Sequence, residues 1–204
     1  YILIMDKSKR VFMKRAGQSS AMLMLFAYSG GKLFAANNPI ASNTKWDGFL
    51  LKDPKTLFDL PKDFSYKVIM STGDIMTDGL KYGGRPDGMG AFELKDGSVA
   101  LVVNHETKNK DKNLELSTAY DDSNGRPFSG GTSTIVLESD GLTLRRANRS
   151  LSGTIDNCAG GTTPWNTWIS CEETYRENHG YAFEVDPEAD SLKGYKRLIN
   201  MGRF

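Results

Sequence analysis

Short apolar stretches separated by glycine and aspartate turns run through the chain from residue 66 onward. The predicted strands 89–94 and 98–104 flank an Asp-Gly turn, which is a strong hairpin signal. The stretches 131–138 and 142–148 form a similar pair across a second Asp-Gly turn. Further strands are predicted at 66–71, 167–171, 181–185 and 194–199. Short strands without a long helical period predict an all-β fold, either a propeller or a sandwich.

One segment, residues 154–173, differs from the rest of the chain in composition. It reads TIDNCAGGTTPWNTWISCEE and contains both cysteines, two adjacent glutamates, a Gly-Gly pair and two tryptophans. The Gly-Gly pair predicts a sharp turn that continues to Pro164. The strand that follows then carries Glu172 and Glu173 at its end.

The chemistry of this segment permits two interpretations. The Cys158 thiolate is a soft metal ligand and the glutamates are hard oxygen ligands, so together they could form a mixed metal site. Alternatively, Cys158 and Cys171 form a disulfide in an extracytoplasmic binding or adhesion module, and the glutamates are solvated.

Charge and histidine content narrow the classes of function. The 204 residues carry a net charge of +1, which gives no reason to expect a nucleic-acid partner. The two histidines, His105 and His179, are too few for a site built mainly from imidazole. His179 is expected in a loop before a strand, and Arg149 is expected on the surface.

The first 36 residues show the order of features found in an export signal. Residues 8–14, SKRVFMK, resemble the twin-arginine signal, with lysine in place of its first arginine. The apolar run at 21–28 is shorter than the roughly 20 residues needed to cross a bilayer. We therefore expect residues 1–36 to be a twin-arginine-like signal that is read by the twin-arginine export machinery. The protein is then periplasmic or secreted, with no stable membrane span.

Three blocks of sequence carry a resemblance to a known family. NCAGGTTPWNTWISCEE, at 157–173, resembles the signature of the PhoX-type alkaline phosphatases, which are exported phosphatases built on a β-propeller. RPDGMG at 85–90 and VVNHE at 102–106 match the same family in the same order. The resemblance covers roughly residues 66–204 and implies that 37–204 is the N-terminal part of the propeller domain. About two blades and part of a third are then expected.

The resemblance also implies an activity, namely hydrolysis of phosphate monoesters by a cluster of iron and calcium. It implies Cys158 as the iron ligand and Asn157 as a catalytic residue that orients phosphate. His105 is expected to orient a metal-ligating carboxylate. The further metal ligands implied by the resemblance are Glu172, Glu173, Glu106, Asp87 and Asn104.

Both ends of the chain are interpreted as incomplete. Residues 1–4 precede Met5, the expected initiator, and Phe204 lies shortly after a predicted strand. We expect a longer protein whose later part supplies further ligands and the basic residues that bind phosphate. The 204 residues alone are expected to be inactive.

Overall fold

The computed structural model of the chain describes residues 50–61, 64–121 and 125–203. The chain divides into two compact units, one within residues 3–67 and one from Val68 onward. The predicted export signal, residues 1–36, lies outside the described residues. Within the described part, no helix is long and apolar enough to cross a membrane.

The described part of the first unit is a small antiparallel sheet. Strand β1 (Leu50–Leu51) pairs with β2 (Leu60–Pro61). The Asp53 carboxylate accepts hydrogen bonds from the backbone N–H groups of Leu57 and Phe58 and from the Tyr66 hydroxyl. One acceptor side chain therefore organises the connection between these strands.

The second unit contains two four-stranded antiparallel sheets. The first sheet has the strands β3 (Pro86–Glu93), β4 (Val99–His105), β5 (Gly130–Leu137) and β6 (Leu144–Thr154), paired in chain order. The second has β7 (Asn157–Thr162), β8 (Trp168–Glu172), β9 (Ala182–Val185) and β10 (Lys196–Arg197), also in chain order. Short 3-10 turns lie at Leu116–Thr118 and Ile199–Met201. Four-stranded meanders are the unit of propeller blades, so the prediction of an all-β fold with partial propeller blades is confirmed.

The main hydrophobic core joins the two four-stranded sheets. The first sheet contributes Phe92, Ala100, Val102, Val136 and Leu151, and the second contributes Trp168, Phe183 and Val185. Along each strand these residues alternate with residues on the opposite face, because successive side chains point to opposite sides. Burial of each large side chain contributes roughly 1.5–3 kcal/mol, so this layer fixes the two sheets against each other.

Both predicted Asp-Gly hairpins are confirmed. Gly97 has a φ of +80° in the β3–β4 turn, and Gly141 has a φ of +68° in the β5–β6 turn. The preceding aspartate in each turn accepts a backbone N–H, at 3.0 Å for Asp96 and 2.7 Å for Asp140. Strand β6 is longer than predicted, since it continues past residue 148 to Thr154.

Three expectations about individual segments are wrong. Residues 66–71 form no strand in the described structure, although Met70 is buried. The Gly-Gly pair lies inside β7 instead of a turn, and a Cβ at Gly160 would come within 2.1 Å of the Ile169 carbonyl oxygen. Close approach of β8 is therefore what requires glycine there. Arg149 is buried, and burial lowers its pKa to about 10.

Candidate functional site

Several strands begin or end together at one end of the two sheets. Glu106 follows β4, Asp156 lies between β6 and β7, and Glu173 follows β8. The Asp156 N–H donates to the Thr107 carbonyl at 3.1 Å, and the Glu173 N–H donates to the Asp156 carbonyl at 3.0 Å. These bonds hold the three segments side by side. We define the strand-end site as the acidic and thiol side chains at this end: Asp87, Glu106, Asp156, Cys158 and Glu173.

Asp156 makes the turn that brings β7 back beside β3. Its φ is +49°, in the left-handed region that aspartate tolerates better than most residues. Such a conformation costs on the order of 1 kcal/mol and persists only where the surroundings enforce it. Here both backbone groups of Asp156 are hydrogen-bonded, which compensates for that cost.

Cys158 and Glu173 are in direct contact. The Cys158 sulfur lies 3.3 Å from Oε2 of Glu173 and donates a weak hydrogen bond to it. Burial and then this hydrogen bond raise the pKa of the Cys158 thiol to about 11, and the charge of Asp87 acts in the same direction. The thiol therefore keeps its proton at neutral pH, and a cation that binds the sulfur must displace that proton.

Glu106 forms an ion pair with Arg85 at the edge of the site. Nη2 of Arg85 lies 2.8 Å from Oε2 of Glu106, and the Glu106 N–H donates to the Arg85 carbonyl at 3.0 Å. The Arg85 side chain is 65% exposed, so its remaining N–H groups face solvent. A guanidinium of this kind matches the oxygens of carboxylate or phosphate through paired hydrogen bonds.

The backbone of Cys158 is fixed by its neighbours on β3 and β4. A Cβ at Gly88 would lie 2.3 Å from the Cys158 carbonyl oxygen, so only glycine permits this approach. Nδ2 of Asn104 donates to the carbonyls of Cys158 and Ala159 at 3.0 and 2.9 Å. The position of the thiol is therefore set before any ligand binds.

Asn104 and Asn157 belong to a buried hydrogen-bond network. Oδ1 of Asn104 accepts from Nε1 of Trp168 at 3.0 Å and from the Ser170 hydroxyl at 2.8 Å. Nδ2 of Asn157 donates to the Ser170 hydroxyl at 2.9 Å, and its Oδ1 accepts from the Thr154 hydroxyl at 2.6 Å. Both asparagines are buried and both of their polar atoms are engaged. These contacts favour structural roles over the metal contact expected of Asn104 and the phosphate contact expected of Asn157.

Glu172 is a buried carboxylate that accepts four hydrogen bonds. Its Oε1 accepts from the Ile155 N–H at 2.9 Å and lies 2.7 Å from Nδ1 of His179. Its Oε2 accepts from the N–H groups of Gly180 and Tyr181 at 2.7 and 3.2 Å. This carboxylate joins the end of β6 to the loop before β9. Its position favours a structural role over the metal-ligand role expected from the sequence.

His179 continues this buried chain of charged groups. Its Nε2 lies 3.0 Å from Oδ2 of Asp121, and the edges of Tyr120 and Phe128 pack against the imidazole. Burial lowers the pKa of His179, but the hydrogen bonds to Glu172 and Asp121 outweigh burial and raise it overall. His179 lies in the loop before β9, as the sequence predicted, but its imidazole is buried between two carboxylates that favour its protonated form.

His105 contacts the turn before β3 instead of a carboxylate. Its Nδ1 lies 3.3 Å from the Gly84 carbonyl, and its Nε2 lies 2.8 Å from the Ser133 hydroxyl. Burial, with a contribution from the charge of Arg149, holds the pKa of His105 well below its usual range. A neutral His105 thus braces the segment that carries Arg85, rather than orienting Glu106.

The donor groups of the strand-end site fit an iron ion in part. Cys158 and Glu173 supply one soft and one hard ligand in contact, a pair that iron accepts. Among the described residues, no group of three or more His, Cys, Asp or Glu side chains is close enough to hold a metal. Calcium takes about six to eight oxygens, more than Asp87 and Glu106 supply.

The disulfide interpretation finds no support in the structure. Both cysteines are free thiols. The Cys158 sulfur contacts Glu173, whereas Cys171 lies within β8 opposite Ala182.

Comparison with known proteins identifies the family. The family model described as alkaline phosphatase PhoX matches residues 47–204. The chain belongs to this family. No curated protein and no solved structure matches it. The PhoX match spans the whole strand-end site and points to a phosphatase, and it confirms the resemblance inferred from the sequence blocks.

In this PhoX chain, the residues predicted for the site fall into two groups. Cys158, Glu173, Asp87 and Glu106 lie at the strand-end site, whereas Asn104, Asn157 and Glu172 are buried behind it. Sequence reasoning missed Arg85, Asp156 and His179. Arg85 and Asp156 both have a positive φ, and of the two residue types only aspartate is enriched in that conformation, so the sequence gives a weak signal for it. Nothing in the sequence near His179 indicates that its side chain is buried.

Proposed function

We propose that this PhoX chain is part of an exported enzyme that hydrolyses phosphate monoesters at the strand-end site with bound iron and calcium. The contact between the Cys158 sulfur and the Glu173 carboxylate carries the proposal. The thiol and the carboxylate lie side by side on a backbone that Gly88 and Asn104 hold in place, so the two ligands are preorganised for a metal ion. The family match supports phosphatase activity.

Four side chains of the site would bind metal in this proposal, and three buried residues would support them. Cys158 and Glu173 would hold iron, and Asp87 and Glu106 would contribute oxygen ligands to calcium. When bound, these cations supply positive charge beside the phosphate and lower the pKa of water. Asn104, Asn157 and Glu172 keep the ligand-bearing segments in position through their buried hydrogen bonds.

Arg85 is proposed to bind the phosphate group of the substrate. Its guanidinium is exposed and is held at the site by Glu106, so its other N–H groups can donate hydrogen bonds to a phosphate oxygen. We expect Arg85→Ala to raise KM for a phosphate monoester more than it lowers kcat. Steady-state kinetics measure both values, and an unchanged KM would contradict this role.

Export is proposed because residues 1–36 resemble an export signal and because proteins of the PhoX family are typically exported. The protein would be carried by the twin-arginine machinery to the periplasm or the exterior. This route transports folded proteins, which suits an enzyme that acquires its metals before export. Fusion of residues 1–36 to a reporter enzyme tests it, and a reporter that stays in the cytoplasm would contradict it.

The central experiment compares the two cysteines in the full-length protein, purified without chelator. Hydrolysis of p-nitrophenyl phosphate is measured for the wild type, for Cys158→Ala and for the matched control Cys171→Ala. We expect the Cys158 variant to lose more than about 100-fold in kcat/KM, and the Cys171 variant to stay close to the wild type. The 204-residue chain is assayed in parallel and is expected to be inactive. Equal activity of the two variants would overturn the proposal.

A further inference from the structure

A second cleft lies at the opposite end of the two sheets from the strand-end site. It has a volume of about 570 Å³ and runs between the end of β3, the β7–β8 turn and the turn after β9. The residues that line it are Glu93, Leu94, Lys95, Trp165, Asn166, Thr167, Asp186 and Glu188. We call it the Trp165 cleft.

Trp165 offers an aromatic face that is already fixed in place. The side chain is 66% exposed, although its Nε1 donates to Oε1 of Glu184 at 2.5 Å. The β7–β8 turn is rigid, because Thr163 and Thr167 are joined by backbone and hydroxyl hydrogen bonds. The N–H is therefore occupied, and the free surface of the indole is its π face. Because the ring is already held by its N–H, a ligand that packs on it costs little side-chain entropy.

The charge of the cleft is negative. Glu93, Asp186 and Glu188 contribute carboxylates, and the Lys95 ammonium lies 3.3 Å from Glu188. Within the described structure, Glu93 makes no ion pair. Glu184 adds no free charge, because it accepts hydrogen bonds from Trp165 and Thr167 and pairs with Lys196. Arg146 on β6 donates to the Glu188 carbonyl and lies close enough to act on the charge of Asp186. Glu93 is therefore the carboxylate that leaves the cleft attractive to cations.

We propose that the Trp165 cleft binds an organic cation with a quaternary ammonium group, packed on the indole face and attracted by the carboxylate of Glu93. Tryptophan is the best aromatic partner for such a cation, and nearby carboxylates add to the attraction. The group could come from a free solute or from a lipid headgroup, since both present the same chemistry. This site is separate from the strand-end site and does not depend on the phosphatase proposal.

The test uses the full-length protein and choline as the probe, with binding measured by isothermal titration calorimetry. Its neutral isostere, 3,3-dimethylbutan-1-ol, has the same shape without the charge. We expect choline to bind and the alcohol to bind at least about fivefold more weakly. Binding to vesicles of phosphatidylcholine, compared with phosphatidylglycerol, separates a headgroup source from a free solute.

Variants locate the binding to the cleft. Trp165→Leu is expected to raise the Kd for choline roughly five- to thirtyfold, and Trp165→Phe, which keeps an aromatic face, to raise it less. Tyr175→Leu is the matched control, because Tyr175 is 95% exposed and lies after Glu173, away from the cleft. Absence of binding to choline and to phosphatidylcholine, equal binding of the neutral alcohol, or unchanged binding in Trp165→Leu would overturn the proposal.

Discussion

Glu172 and Glu173 are neighbours in the sequence with opposite surroundings. Successive residues of a strand point to opposite sides, so one carboxylate enters the interior while the other stays exposed. Glu172 is 1% exposed, and both of its carboxylate oxygens accept hydrogen bonds. Glu173 is exposed and contacts the Cys158 thiol. We therefore assign the first to the scaffold and the second to the candidate metal pair.

This assignment predicts different effects for the two substitutions. Glu172→Ala leaves Nδ1 of His179 and three backbone N–H groups buried without an acceptor, so we expect a loss of about 3–5 kcal/mol in unfolding free energy. Glu173→Ala is expected to change stability by less than about 1 kcal/mol but to remove bound iron. Urea unfolding and elemental analysis of both variants measure this. Loss of iron without loss of stability in Glu172→Ala would contradict the assignment.

His179 should make stability depend on pH in metal-free protein. Its folded pKa lies above the usual 6.5, so protonation favours the folded state. The stabilisation is fully present below pH 6.5 and is lost as pH rises through the folded pKa. We expect the stability difference between wild type and His179→Gln to be larger near pH 6 than near pH 9, as measured by urea unfolding. A difference that does not vary with pH would contradict a charged His179.

At the scale of elements, the close approach of β3 and β7 determines where the Cys158 thiol lies. Gly88→Ala would place a methyl group 2.3 Å from the Cys158 carbonyl oxygen. Because the contact is with backbone, the strands must separate, and we expect a loss of about 1–3 kcal/mol together with weaker iron binding.

The matched control for this substitution is Gly161→Ala in β7. A Cβ at Gly161 would meet nothing within 4 Å, and its φ is not in the left-handed region. This variant should keep both stability and iron. Thermal unfolding and iron content are measured for both variants, and equal behaviour of the two would refute the role of Gly88.

Local sequence patterns predicted the hairpins because their signals are local. The Asp-Gly turns at Gly97 and Gly141 require left-handed backbone, and aspartate and glycine supply it within a few residues. The Gly-Gly pair of β7 does not form the predicted turn, because glycine is needed there for the close approach of the Ile169 carbonyl, which lies on another strand. Residues 66–71 have the composition of a strand but pair with no strand in the described structure.

The sequence predicted four of the five side chains of the strand-end site, but it missed Asp156 and did not show that three other predicted site residues are buried. The family signature located Cys158 and Glu173, and strand ends explained why they meet. Sequence cannot show that Asn104 and Asn157 have every polar atom engaged by groups up to 66 residues away. It also cannot show that a loop histidine, His179, closes a buried ion pair, because that depends on packing of Tyr120 and Phe128.

At the scale of the whole molecule, two four-stranded sheets are joined by an apolar layer and by a polar network behind the strand-end site. Asn104 is central to that network, because it links β4 to β7 and β8 through four hydrogen bonds. The scaffold thus presents its donor side chains at one end on backbone that is already fixed. Preorganisation of this kind is what a metal centre needs from its protein.

The central claim is that Cys158 and Glu173 hold iron in the full-length enzyme. X-ray diffraction at the iron absorption edge tests it most directly, because the anomalous signal locates iron without assuming its ligands. The account predicts a peak at bonding distance from the Cys158 sulfur and from a Glu173 oxygen, and no such peak in Cys158→Ala. Iron located away from Cys158, or a catalytically active crystal without iron at the strand-end site, would contradict it.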